Sequence, residues 1–166
     1  DIVSSEGTSY RMFAEDPFIL IVTMLLIVLG GIGFMVVSDI AHNRRWRKLR
    51  LHTKIVIPLT AALILIGAIG IFAAEFDNPE TIGNMSVGNK IVNAFFQSVT
   101  ARTAGFASFS QSGMTTFSQT LTIVLMFIGV CPGSTGGGIK TTTMFVLLVT
   151  IYATLSHKRE VVIDMR

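Results

Sequence analysis

Two short stretches carry the residue types that could do chemistry, and in both the chemistry belongs to the backbone. Thr103-Ala104-Gly105-Phe106 is a Thr-x-Gly-aromatic tetrapeptide, and Gly129-Val130-Cys131-Pro132-Gly133-Ser134-Thr135-Gly136-Gly137-Gly138-Ile139-Lys140 is a glycine-rich run closed by a lysine. Glycine reaches backbone angles that turn successive carbonyls to one side. Carbonyls so turned can replace the water around a dehydrated cation. The backbone of Thr103, Ala104, Gly105 and Phe106 is therefore the candidate ion-binding element. The second stretch has the composition of a flexible loop, with Gly129, Pro132, Gly133, Ser134, Thr135, Gly136, Gly137, Gly138 and Lys140 as its candidate working residues.

Other chemistries find little support. No nucleophile, base and orienting acid cluster in the sequence, so an enzyme is not expected. His42, His52 and His157 lack the spacing and the carboxylate neighbours of a metal site. Cys131, the single cysteine, excludes an internal disulfide framework and reads as a packing residue. Gly133 to Gly138 imitates the glycine interval of a phosphate-binding loop, but Ile139 intrudes before Lys140 and breaks the motif.

The elements that must position these stretches are membrane spans. Of 166 residues, 51% are apolar and 14% charged, well below the roughly 25% charge of soluble domains. Three blocks hold most of the apolar residues: Phe18 to Ile40, Ile55 to Phe76, and Leu121 to Leu155. Each is long enough to cross a bilayer core of about 30 Å, which takes about 20 helical residues. The expected class is an all-α integral membrane protein. The connection 41–54 carries Arg44, Arg45, Arg47, Lys48, Arg50 and Lys54 with no acid, which places it in the cytoplasm by the positive-inside rule. A nucleic-acid patch is the rival for these cations, but a topogenic loop explains them without further assumptions. His157, Lys158, Arg159 and Arg166 draw the segment 156–166 to the same side. The acidic opening segment, 1–17, and the stretch 77–119, with Lys90 and Arg102 as its cations, belong outside. The chain opens on Asp1 without a signal pattern and reads as a piece of a longer protein.

Val87 to Thr100 is an apolar run too short to cross. A helix that dips halfway and stops aims the negative end of its dipole at the membrane centre, where a cation is favoured. The order span, short helix, Thr-x-Gly-aromatic, span is the layout of a potassium-channel pore loop, with potassium expected at Thr103, Ala104 and Gly105. Arg102, awkward beside a cation, is expected to turn away and pair with Glu75 or Asp77. Those two acids and Glu80 lie near one membrane face as interfacial charges or weak cation attractors. The 38 residues from Ser118 to Leu155 would make a straight helix of about 57 Å, so this span is expected to break at the glycine run. A lysine near the middle of a span costs about 2.5 to 3.5 kcal/mol. Lys140 is accordingly expected to serve a polar pocket within a loop that obstructs or opens the pore.

These residues resemble the Trk/Ktr/HKT superfamily of potassium (and in plants sodium) transporters, and among them the bacterial Ktr membrane subunits. The likeness covers essentially the whole chain. T-A-R-T-A-G-F is similar to the family's third-repeat filter. C-P-G-S-T-G-G-G-I-K-T-T-T is similar to that repeat's broken second span, and Leu29-Gly30-Gly31-Ile32-Gly33-Phe34 to the second span of the preceding repeat. The resemblance implies that residues 55–155 form one complete repeat of four around a pore, that 18–40 close the preceding repeat, and that 156–166 lead to the next. It further implies a single-glycine filter at Thr103 to Phe106 and an intramembrane gating loop at about Gly129 to Lys140. Potassium is the implied cargo, with sodium as an activator or co-ion. Membrane lipid, a second copy in a homodimer and a cytosolic nucleotide-binding regulatory ring are the implied partners. A non-transporting anchor, scaffold or sensor is the second functional class.

Overall fold

The computed structural model describes residues 10, 13–102 and 104–156, and among these it is helical throughout, with one isolated bridge pair and no strand. Thr103, most of 1–17 and all but residue 156 of 156–166 lie outside the described residues. Six α-helices run in order: α1 Pro17–Ile32, α2 Phe34–His42, α3 Leu51–Glu75, α4 Val87–Thr100, α5 Thr116–Phe127 and α6 Thr141–Leu155. α3 lies at the centre and touches all the others.

α1 begins where Pro17 follows Asp16, whose carboxylate accepts from Phe18 N (3.0 Å) and Ile19 N (3.5 Å). This is an N-cap with proline at the first helical position. The apolar block 18–40, expected to be one span, is two helices, and α1 and α2 meet at a bend of 92°. The cause is Gly33, at φ +85°, a conformation that costs a side-chain-bearing residue strain. A Cβ placed there would lie 2.9 Å from the Pro132 carbonyl oxygen. The bend is therefore a seat for the distant glycine-rich stretch.

The basic connection is shorter than the 41–54 expected. α2 continues through His42, and α3 already begins at Leu51. Asp39 explains the early start. It is 7% exposed and accepts from Arg50 N (2.9 Å), Thr53 Oγ1 (2.6 Å) and Asn43 Nδ2 (2.9 Å), so a carboxylate caps the positive end of α3. α3 is the one helix among the described residues long and apolar enough to cross a membrane unaided, and α1 with α2 passes as a bent pair.

The third apolar block is two helices of 12 and 15 residues, about 18 and 22 Å long, each short of a bilayer core. Between them the chain loops out and returns. Ile128 and Ile139 form a parallel bridge, with Ile139 N donating to Phe127 O at 3.1 Å. A parallel bridge means that the chain leaves the loop in the direction in which it entered.

Small residues let α4 and α5 press on α3. A Cβ on Gly67 would collide with Ser98 Oγ and sit 2.7 Å from Leu125 Cδ1, and one on Gly70 would sit 2.6 Å from Leu121 Cδ2. Ser98 Oγ donates to Ile64 O (2.8 Å), so the contact is also hydrogen-bonded. The outward faces are apolar, with Phe18, Leu26, Ile66, Ile69, Ile123, Leu148 and Leu155 exposed; such surface belongs against lipid or further protein. Gly67→Ala is expected to dislodge Ser98 and lower stability by about 1 to 3 kcal/mol. Gly88→Ala, where a Cβ meets open space, should be neutral. Unfolding midpoints of the detergent-solubilised protein compare the two.

Candidate functional site

The site is built around the end of α4. Ser86 caps the start of this helix by accepting from Asn89 N (3.4 Å), and its buried face includes Asn93, Ala94, Phe96, Gln97 and Thr100. The helix stops after Thr100, and Thr100 organises the segment 101–106. Its hydroxyl accepts from Phe106 N (2.9 Å) and donates to Phe106 O (2.8 Å), while its carbonyl accepts from Ala104 N (3.1 Å) and Gly105 N (3.4 Å). One residue thus ties Ala104, Gly105 and Phe106 to the end of the helix. Gly105 takes φ +80°, and a Cβ there would meet nothing within 4 Å. The glycine is required by its backbone angle and not by crowding.

Of the expected ion-binding residues, Ala104 is half-buried and Gly105 exposed, while Thr103 lies outside the described residues. The Phe106 carbonyl accepts from the Thr100 hydroxyl, which leaves one of its two lone pairs open. Behind the segment, the amides of Gln97 and Gln111 bond each other reciprocally at 2.9 and 3.1 Å. Tyr10 N donates to Ala107 O (2.9 Å), and the Tyr10 ring meets Phe106 edge-on at 5.1 Å. Thr100, Gln97 and Gln111 were missed in the sequence because lone polar residues on a short helix carry no periodic signal. A hydroxyl five residues before a glycine was the available clue.

The glycine-rich stretch folds against the α1–α2 bend. Cys131 N donates to Gly31 O (3.1 Å) and Phe34 N to Gly133 O (3.4 Å). Built Cβ atoms on Gly30 and Gly31 would lie 3.5 Å from Thr135 Oγ1 and 3.1 Å from Val130 Cγ1. Gly30, Gly31 and Gly33 therefore form a groove for the loop, a pairing that local sequence did not reveal. Cys131 is fully buried beside Val36 and Val56, and its Sγ lies 3.2 Å from Thr141 Oγ1. Within the loop, Ser134 Oγ donates to Cys131 O (2.5 Å), Gly133 and Gly138 take φ +73° and +79°, and Pro132 is half-buried. The neck is a backbone crossing: a Cβ on Gly129 would collide with the Gly137 carbonyl. Lys140 Nζ donates to Gly136 O (2.7 Å), so the lysine closes the loop on itself.

Two expectations about charge are corrected. Arg102 does not pair with Glu75 or Asp77. It is 5% exposed, and its Nη2 donates to Gly129 O at 3.4 Å. Glu75 is no interfacial charge but fully buried, accepting from Thr115 N (2.9 Å), Thr115 Oγ1 (2.6 Å), Thr81 Oγ1 (2.7 Å) and Asn78 Nδ2 (2.6 Å). The acid is committed to fastening α3 to the start of α5 and to the 78–81 turn. The arginine, placed after α4 has ended, faces the loop instead. A cavity of about 130 Å³ lies between these parts, lined by Arg102, Ala104, Gly31, Val130, Thr135 and Gly136.

An all-helical chain with one helix long and apolar enough to cross a membrane, a bent apolar pair and apolar outward faces fits a membrane protein. The chain belongs to the TrkH family of cation transport proteins, whose model matches residues 3–165, in agreement with the resemblance read from the motifs. This is a transporter family and not an enzyme family. The Ktr system potassium uptake protein B of Bacillus subtilis (strain 168) is 40% identical over 154 residues, covering 93% of this chain and 35% of that protein. The protein of the same name from Vibrio alginolyticus is 39% identical over 162 residues, with 95% and 35% covered. The potassium/sodium uptake protein NtpJ of Enterococcus hirae is 39% identical over 152 residues, with 92% and 34% covered. The chain thus spans about a third of the length of these curated relatives. The crystal structure of the potassium transporter TrkH from Vibrio parahaemolyticus shares the fold, with a TM-score of 0.70 at 20% identity over 90% of this chain and 32% of that one.

Thr100→Val keeps the shape of the side chain and deletes both hydroxyl bonds to Phe106. Freed backbone groups cost about 1 to 3 kcal/mol, and in the intact protein the turn at Ala104, Gly105 and Phe106 is expected to lose definition. The unfolding midpoint of the detergent-solubilised protein should fall, with Thr100→Ser preserving it.

Proposed function

We propose that this chain is the central part of a pore-forming subunit that conducts potassium across the cell membrane. The reading is carried by one observation: α4, too short to cross a bilayer, ends at Thr100, which holds Ala104, Gly105 and Phe106 in a non-helical turn with glycine at φ +80°. A helix end with its carbonyls directed at such a segment favours a cation, and extended backbone can exchange carbonyls for the ion's water. The proposed ion contacts are the backbone carbonyls of Thr103, Ala104 and Gly105, with Phe106 as a brace. The names of the relatives support potassium as cargo, and the potassium/sodium protein among them supports sodium as an activator or second ion.

In this reading α3, α4, the 101–115 segment, α5 and α6 are one span, pore helix, filter, broken-span repeat, and α1 with α2 closes the preceding one. Residues 41–54 and 156–166 face the cytoplasm, where the cations of the first would sit by the positive-inside rule. The rest of the pore comes from the remainder of the protein. A homodimer and a cytosolic nucleotide-binding regulatory ring are the proposed partners. The glycine-rich loop, 129–140, lies below the filter and acts as its gate. Its low content of side chains and its closure through Lys140 and Gly136 suit a segment that moves as a unit.

Two variants of the intact protein, assayed for rubidium uptake in cells lacking their own potassium uptake, test the two halves of this reading. Gly105→Ser forces a side chain onto a left-handed backbone, and lost or sodium-permissive uptake is expected; full selective uptake would overturn the filter. Deletion of residues 134–137 is expected to raise uptake with ion preference unchanged, whereas unaltered uptake would reduce the loop to a packing irregularity.

A further inference from the structure

Arg102 carries a charge that the rest of the described chain leaves poorly compensated. It follows α4 by two residues and precedes Gly105 by three. The side chain is 5% exposed, its Nη2 reaches the Gly129 carbonyl at 3.4 Å, and its Nε is buried with no hydrogen-bond partner. A buried guanidinium in this state holds on strongly to any acceptor it has.

That acceptor occupies a particular place. Gly129 is in the neck of the glycine-rich loop, where the two arms cross in backbone contact: its Cα lies against Gly138, Val130 N donates to Gly137 O (3.4 Å), and Thr141 N donates to Val130 O (3.4 Å). At the tip, Thr135 lies beside Gly30, and Thr135 and Gly136 line the cavity that Arg102 and Ala104 also line. Arg102 therefore touches the loop where a small displacement swings the whole of it, and it does so from the segment that holds Ala104 and Gly105.

We propose that Arg102 is a positioning residue that latches the neck of the loop to the filter segment through the Gly129 carbonyl, and that release of this bond lets the loop leave the cavity. The proposal rests on the filter-and-gate reading above. It also accounts for an arginine beside a cation path: the guanidinium is turned to the loop behind the filter. A cation arriving at Ala104 repels it across the shared cavity, so filling the filter weakens the latch.

The test is a double-mutant cycle in the intact protein, with Arg102→Met and Arg102→Lys each made alone and together with deletion of residues 134–137. Rubidium uptake, rubidium-over-sodium preference and the amount of protein in the membrane are measured for each. Arg102→Met is expected to raise uptake about 3- to 10-fold, the equivalent of one hydrogen bond, with preference unchanged, and to add nothing once the loop is shortened. Arg102→Lys, which keeps the charge without the fork, should give a smaller rise. Unchanged uptake in Arg102→Met overturns the latch, as does a rise that persists in the shortened loop. Loss of uptake or of preference in both backgrounds overturns it too, making Arg102 a part of the filter's frame. If Arg102→Met does not reach the membrane, the lysine variant is read in its place, and failure of both to accumulate assigns the residue to assembly and overturns the proposal. The shortened loop by itself separates the layers: normal uptake there defeats the gate, whereas raised uptake there with an inert Arg102→Met defeats the latch alone.

Discussion

Broken helices release backbone N–H and C=O groups, and inside a membrane these have no water to turn to. The chain breaks its helices at Gly33, after Thr100 and at 128–140, and the tertiary structure answers by packing the breaks against one another. Gly31 O accepts from Cys131 N, Gly133 O from Phe34 N, and Gly137 O from Val130 N. In each of these bonds the accepting carbonyl belongs to a glycine, and the missing side chain lets the second backbone approach closely. The bend at Gly33 and the loop at 129–138 are in this sense one feature. Neither would be tolerable at membrane depth without the other.

The same constraint governs the polar side chains. Glu75, fully buried, is saturated by hydroxyl, amide and backbone donors from two segments, and Asp39 by Asn43 and by donors at the start of α3. Each carboxylate fastens one end of α3, so the central helix is pinned at both ends by an acid that its neighbours satisfy. Lys140 turns back onto Gly136, and Thr100 onto Phe106. Arg102 alone among these keeps a buried donor without a partner.

How far the architecture was legible depended on the range of the interaction that encodes it. Apolar length identified α3, the shortness of Val87 to Thr100 identified α4, and glycine density identified the break between α5 and α6, because each is a property of contiguous residues. The bend at Gly33 was not legible: Gly30-Gly31-Ile32-Gly33 lies inside an apolar block, and only the Pro132 carbonyl across the fold makes the glycine obligatory. The partners of Arg102 and Glu75 were misassigned for a related reason. Opposite charges near in sequence suggested a pair, yet Glu75 faces the outer turn with its donors while Arg102 lies inward of the helix end.

The sequence by itself determined the family, the all-helical class, the short helix and the two glycine-bearing stretches, since motif, composition and segment length are local quantities. Tertiary structure alone decided that Thr100 holds Ala104, Gly105 and Phe106, that the glycines of α1 receive the loop, and that Arg102 reaches Gly129. Hydrogen bonds between residues far apart in the chain depend on where helices end in space, and side-chain types along the chain do not specify that.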